Sequence, residues 1–204
     1  MVPLLGGRDG WVRTDLNRSM TELADADVDT ALYDAWTTAI YQIANPEEFD
    51  LNLLAIPGVG VSSAIATYGL EIAEARADCF YIMDMNDDVT EAAVAVTKVA
   101  TRDSSYGATY WPHVRIYDSD NNQYVTMPPT PQVLEAMAYT DSVSYPWFAP
   151  AGMNRGLLTD VVSAEYKLTV ADRNTCYEGK VNPIATFPGQ GVTIWGQKTL
   201  QTST

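Results

Sequence analysis

The sequence is short of basic residues, of histidine and of cysteine. Twelve lysines and arginines stand against 26 aspartates and glutamates, leaving a formal net charge of −14. A surface that acidic repels phosphate backbones, so nucleic-acid binding is disfavoured, while solubility at high concentration or a basic partner surface is favoured. Cys79 and Cys176 lie far apart and in no ligand spacing. They imply neither a disulfide framework nor a thiolate metal site, and they fit reduced, cytosolic production. No apolar run approaches the ~20 residues of a membrane-crossing helix, so no membrane partner is expected. The start, Met1 to Arg8, lacks the basic onset and long apolar middle of a signal peptide. Internal repeats and low-complexity segments are also missing.

What is present is enough apolar residue for one substantial core or two small ones, 47% of 204 positions. Residues 1–21 show no clean periodicity and read as irregular. Asp27 to Ile43 is the clearest helix, with Val28, Ala31, Leu32, Ala35, Trp36, Ala39, Ile40 and Ile43 on one stripe. Asn45-Pro46 ends it. Leu51 to Ile56 is a short apolar run closed by Pro57-Gly58, as expected of a strand covered on both faces. A helix follows from Ser62 or Ser63 to about Ala77, burying Ile65, Tyr68, Ile72 and Ala75, and then a second buried strand, Cys79 to Met83. Asp88 and Glu91 stand at capping-box spacing before a helix from Val89 to about Thr101.

This strand-helix-strand-helix order predicts parallel pairing with crossover helices. His113–Tyr117 and Gln123–Met127 break the pattern and read as an antiparallel hairpin around Asp118–Asn122. Thr130 offers an N-cap with Pro131 behind it, for a helix to about Tyr139. Leu157–Val162 reads as a strand, Thr169 to about Lys180 as a helix, and Val192–Leu200 as a last strand. The expected fold is α/β: a mixed, partly parallel sheet flanked by helices, with an additional hairpin, in one domain over residues 1–204.

Several stretches resemble chemistry. Gly58-Val59-Gly60 sits between a strand and a helix, where a dinucleotide fold holds pyrophosphate. The third glycine of that fingerprint falls on Ser63, and a tight structural turn is the better reading. Asp118-Ser119-Asp120-Asn121-Asn122 opens like a calcium loop, yet Gln123 replaces the turn glycine and Pro129 occupies the bidentate glutamate position. His113 would have to serve any hydrolytic triad, and no Gly-x-Ser-x-Gly elbow occurs. Cys176 has no evident activating base. Asp84, Asp87 and Asp88 tempt a carboxylate-pair argument that turn and cap chemistry already explains. No catalytic, metal or cofactor site is expected.

The most telling stretch is Trp147 to Gly156, Trp-Phe-Ala-Pro-Ala-Gly-Met-Asn-Arg-Gly. Pro150, Gly152 and Gly156 make it a loop, while Trp147, Phe148 and Met153 are too apolar for a solvated linker. Arg155 can hydrogen-bond loop carbonyls or a carboxylate through its planar fork. Downstream come Val181-Asn182-Pro183, Pro188-Gly189-Gln190-Gly191, and Val192 to Leu200 containing Trp195-Gly196-Gln197-Lys198-Thr199.

In that order the segments resemble the tail sheath protein of contractile bacteriophage tails. The matching positions are Pro150, Ala151, Gly152, Asn154, Arg155 and Gly156, then Asn182 and Pro183, then Trp195, Gly196, Lys198 and Thr199. Phe49 to Gly58 also looks like the family's core strand and the turn leaving it. Together the pieces span about three quarters of the chain.

The resemblance implies a structural subunit rather than an enzyme, with no cofactor. Its partners would be neighbouring sheath subunits in six-fold rings, the tail tube and the baseplate. Its place would be the virion's tail sheath, and the host cytoplasm during assembly. It also implies a core fragment lacking terminal arms and outer domains, and hence mainly monomeric by itself. Two competing readings are a Rossmann-like nucleotide-binding enzyme, resting on the Gly58-x-Gly60 turn, and an α/β ligand-binding module without catalysis.

Overall fold

The computed structural model describes residues 30–145 and 147–202. Their chain order is α1 (Thr30–Tyr41), β1 (Leu53–Gly60), α2 (Ala64–Arg76), β2 (Phe80–Asp84), α3 (Ala92–Val99), β3 (Gly107–Trp111), β4 (Val114–Asp118), β5 (Gln123–Met127), α4 (Thr130–Val143), β6 (Val161–Ala164), α5 (Val170–Glu178), β7 (Val181–Phe187) and β8 (Gly191–Ile194). Five strands form one sheet in the order β1-β2-β3-β7-β8, and three form a second in the order β5-β4-β6.

The expected parallel unit is present. Leu53, Leu54 and Ala55 of β1 register with Phe80, Tyr81 and Ile82 of β2, and α2 crosses between the two strands. β3 and β7 continue the parallel pairing, and β8 closes the sheet antiparallel to β7. Both faces are buried, so neighbouring side chains on β2 enter different cores: Tyr81 and Met83 join one apolar cluster, Phe80 and Ile82 the other. Helices α1, α2, α3 and α5 cover the first face, and α4 together with the second sheet covers the other.

Local chemistry explains the helix ends. Ser63 caps α2 by accepting from the Ile65 N–H at 3.1 Å, and Ala77 ends it at φ 57. Thr169 and Asp172 form a reciprocal capping box at the start of α5. The proposed box before α3 is not formed: Glu91 is the cap without a side-chain bond, and Asp88 instead pairs with Lys98 at 3.0 Å. At α4 the cap is Pro129 rather than Thr130, and the helix runs on to Val143.

Other boundaries also move. β1 does not stop at Ile56 but continues through Pro57-Gly58, with a register shift between Ala55 and Gly60. The last strand ends at Ile194, and the strand expected at Leu157–Val162 lies at Val161–Ala164, paired to β4. The apolar stripe of α1 is narrower than its spacing suggests: Ile40 is buried, Trp36 and Ile43 pack beside it, and Ala35 and Ala39 are exposed. Ala75 is likewise exposed, while Tyr68 and Ile72 are half-buried. The expectations for residues 1–21, for Val28 and for the side chains of Ala31 and Leu32 fall outside the described residues.

A buried cation organises the approach to β1. Arg76 ion-pairs with Asp78 at 2.9 Å, donates to the Phe49 carbonyl at 2.8 Å, and also bonds the Ile43 carbonyl. The turn from α1 into β1 is thereby tied to the end of α2.

Candidate functional site

The three motif segments meet at the β7–β8 side of the five-stranded sheet. The loop from Pro150 to Gly156 lies along the outer edge of β8. The Gly152 N–H donates to the Ile194 carbonyl at 2.8 Å, the Ile194 N–H donates to the Gly156 carbonyl at 2.8 Å, and the Leu158 N–H donates to the Val192 carbonyl at 2.9 Å. The approach is too close for a side chain at Gly156. A Cβ there would stand 2.8 Å from the Ala151 Cα and 2.8 Å from the Ile194 carbonyl oxygen. Gly152 adopts φ +81, the left-handed region that favours glycine.

On the inner side, Asn182 acts as a substitute peptide. Its Oδ1 accepts the Lys198 N–H at 2.7 Å, and its Nδ2 donates to the Lys198 carbonyl at 2.7 Å. Pro183 offers its carbonyl to the Trp195 N–H at 2.8 Å. Gly196 fits beneath because a Cβ would lie 2.7 Å from the Asn182 Oδ1. The Trp195 ring contacts Phe187, with centroids 4.7 Å apart, and the Lys198 ammonium sits 4.1 Å above the Tyr177 ring. Thr199 Oγ1 accepts the Gln201 N–H, and the Leu200 N–H donates to the Gly107 carbonyl at 2.9 Å. Pro150, Ala151, Gly152 and Gly156 belong to the edge clamp; Asn154 is exposed. Nearly every contact is backbone geometry or packing.

Arg155 finds a carbonyl and a ring rather than a carboxylate. Its Nε–H donates to the Ala149 carbonyl at 3.0 Å, and its guanidinium lies 4.8 Å from the Phe148 ring centre. It remains half-exposed.

The strand-Gly58-x-Gly60-helix turn is filled by the protein itself. The Gly58 N–H, which a phosphate would need, donates to the Asp84 Oδ2 at 2.9 Å. The Ser62 N–H donates to the Asn86 Oδ1 at 3.3 Å, and that amide lies where a Gly60 Cβ would go. With that N–H already bonded to the Asp84 carboxyl group, the turn offers an anion no free donor there. Burial pushes the Asp84 carboxyl up; hydrogen bonds from the Thr130 hydroxyl and the Gly58 N–H, and nearby His113, oppose that shift. His113 is buried, with Nε2 3.2 Å from the Met85 carbonyl and Nδ1 3.7 Å from Asp87 and 3.9 Å from Glu165. Among the described residues, its polar partners are a carbonyl and two carboxylates, with no hydroxyl or thiol nucleophile.

The remaining chemical suspects become structural. Asp118 accepts the N–H groups of Asp120 and Asn121 at 3.1 and 3.3 Å, a side-chain turn within the β4–β5 hairpin. Cys176 is fully buried, and desolvation with the nearby Asp172 charge pushes its thiol up to about 12. Cys79 is buried with its thiol also raised, chiefly by desolvation. Among the described residues no group of three or more histidine, cysteine or acidic side chains can hold a metal ion. An open cleft of about 450 Å³ near Trp111 and Tyr166 mixes Glu91, Asp172 and Lys167 without a convergent set.

Arg76 is the important residue that sequence reasoning missed. A signal existed: it is the only basic residue between Thr30 and Glu91, a stretch with eleven acidic ones.

Residues 20–200 match the family profile described as the phage tail sheath protein central domain. The tail sheath protein of Vibrio phage KVP40 is 26% identical over 193 residues, covering 81% of this chain and 29% of the relative. That of Enterobacteria phage T4 is 25% identical over 191 residues, covering 82% and 28%. The chain thus spans less than a third of the curated relatives it matches. Among solved structures, the contracted sheath complex of an extracellular contractile injection system, PVC, aligns at TM-score 0.65 and 24% identity over 82% of this chain and 45% of that one. The contracted helical sheath of the anti-feeding prophage aligns at TM-score 0.60 and 21% identity over 87% and 45%. These structural likenesses establish a shared fold. With the profile matched across nearly the whole chain, the chain belongs to the phage tail sheath protein family, of which it carries the central domain.

Proposed function

We propose that this chain is the core of a structural subunit of a contractile tail sheath. The subunit polymerises around a tail tube in six-fold rings, engages a baseplate, and contracts to drive the tube through a host cell envelope. The carrying observation is the match of residues 20–200 to the sheath central domain. The geometry supports it: the motif residues serve backbone clamps, and the one nucleotide-like turn is sealed by Asp84. In this reading Pro150, Ala151, Gly152, Asn154, Arg155, Gly156, Asn182, Pro183, Trp195, Gly196, Lys198 and Thr199 are structural, not catalytic. Contraction energy is stored in subunit contacts at assembly, so the subunit needs no nucleotide or metal.

The 204 residues act as one α/β core domain of a longer subunit, in line with the greater length of the relatives. The subunit resides in the virion's tail sheath and passes through the host cytoplasm during assembly. Without connecting arms from elsewhere in that subunit, and with a charge of −14, the chain stays monomeric in dilute solution. Electron microscopy of the longer protein tests the reading. Hollow six-fold tubes are expected, and a protein that stays monomeric under all assembly conditions overturns the assignment.

A further inference from the structure

The charge of this chain is unevenly placed. Residues 30–91 carry eleven acidic side chains and one basic one, whereas residues 92–202 carry nine and eight. Within the second part, the stretch from Ser142 to Leu158 contains no acidic residue at all and one cation, Arg155. That stretch also exposes aromatic surface. Trp147 is 78% exposed and stacks on Tyr145 with centroids 4.8 Å apart and planes 3° from parallel, and Phe148 stacks on the same tyrosine. Arg155 lies on Phe148, held through Nε alone, so its two terminal nitrogens make no hydrogen bond among the described residues. Rigid tyrosine, tryptophan and arginine side chains with a free planar fork form the residue set that carries most interface energy.

The complementary surface is on the same molecule. Between α1 and β1, Glu47, Glu48 and Asp50 flank Phe49, and all four are exposed. The turn is fixed, not loose. Asn45 accepts from the backbone N–H groups of Glu47, Glu48 and Phe49, and Arg76 grips the carbonyls of Ile43 and Phe49 from below. Three carboxylates around an aromatic ring match an aromatic stack that carries one guanidinium.

We propose that the Tyr145–Trp147–Phe148–Arg155 surface docks on the Glu47–Asp50 turn of a second copy of this chain. The partner is a second copy because each molecule presents both halves of the match, and because both are prearranged by contacts internal to the chain. Phe49 seats against the aromatic stack, and the carboxylates of the turn take the outer nitrogens of Arg155. This inference rests on the sheath reading, which requires subunits to touch, and it names where they do.

The test uses the chain itself and does not depend on tubes forming. Met153→Cys and Asn52→Cys variants, exposed positions beside the two surfaces that leave every proposed contact residue in place, are prepared separately, checked for unchanged thermal melting, and cross-linked with a short bismaleimide, alone and mixed. The mixture should couple about tenfold faster than either variant alone at low salt, falling toward the single-variant rates at high salt. Adding Arg155→Glu to the Met153→Cys chain should remove the acceleration, and adding Glu47→Arg to its Asn52→Cys partner should restore part of it. A mixture no faster than its components, or one indifferent to Arg155→Glu, overturns the contact. If the longer protein still forms tubes in that case, the sheath reading stands and only this docking surface is lost.

Discussion

Two glycine turns in the same sheet have opposite appearances and opposite fates. Gly58-Val59-Gly60, after β1, has the sequence of an anion cradle, and the chain fills it with its own Asp84 and Asn86. Gly152 to Gly156, beside β8, has the sequence of an ordinary loop, and with Leu158 just after it seals a strand edge through three backbone hydrogen bonds. Glycine permits a close approach in both places. What approaches decides the role: a side chain that can rotate at Gly60, and unyielding main chain at Gly156.

Alanine at each turn tests that contrast. Gly156→Ala drives a methyl group into backbone atoms and should cost about 3 kcal/mol, the upper end of overpacking penalties. For a domain this size that lowers the melting temperature by roughly 6–12 °C. A melt within two degrees of wild type would mean that the loop lifts away freely. Asn182→Ala comes next. It strips both partners from the backbone N–H and carbonyl of half-buried Lys198 and should cost roughly 2 kcal/mol in denaturant unfolding. Gly60→Ala should cost less, about 1–2 kcal/mol, because the obstacle is the Asn86 side chain and displacing it gives up only the long bond from the Ser62 N–H. If Gly60→Ala proves as damaging as Gly156→Ala, the distinction between side-chain and main-chain neighbours fails.

Asp84 supplies a pH-dependent comparison. Its folded pKa is raised above the ordinary 3.8, so folding disfavours its ionised form. The stability linked to its neutral form is present below 3.8 and is lost as pH rises through the folded value. Asp84→Asn, which keeps the shape and removes the charge, should therefore equal wild type in acid and match or exceed it at neutral pH. Thermal melts from acid to neutral check the sign, and a wild-type advantage that grows with pH contradicts it. The smallest effect is expected at Arg155→Ala. Losing one carbonyl bond and a half-exposed ring contact should cost about 0.5–1 kcal/mol, well below a buried charge pair.

The sequence made the first half of the sheet readable and left its centre hidden. β1, α2 and β2 follow from two apolar runs and a serine cap, and the β4–β5 hairpin from its polar turn. β3 and β7, the middle strands, carry misleading residues. Gly107 and Ala108 have weak strand preference, yet Gly107 sits closely under the core: a Cβ would stand 2.8 Å from the tip of the Leu70 side chain, which would have to shift. Pro183 reads as a stop because proline gives no ladder donor, but its carbonyl bonds Trp195 and Asn182 supplies the missing peptide-like pairing. Of the candidate site, the glycines and Asn182 were legible as motif letters only. Their partners across the sheet are set by tertiary contacts that no local pattern encodes.

The loop beside β8 has one more consequence. An open strand is a template on which further strands can be laid, one after another, and a sheet open on both sides could join chains without limit. Here the Val192 carbonyl and both backbone groups of Ile194 are already taken by the chain's own loop. At the opposite border, Pro57 removes a donor from the run of β1. The sheet is thus a strip with a stitched hem on one side and a notched margin on the other. On the β8 side, no further strand can be laid without first unpicking that loop.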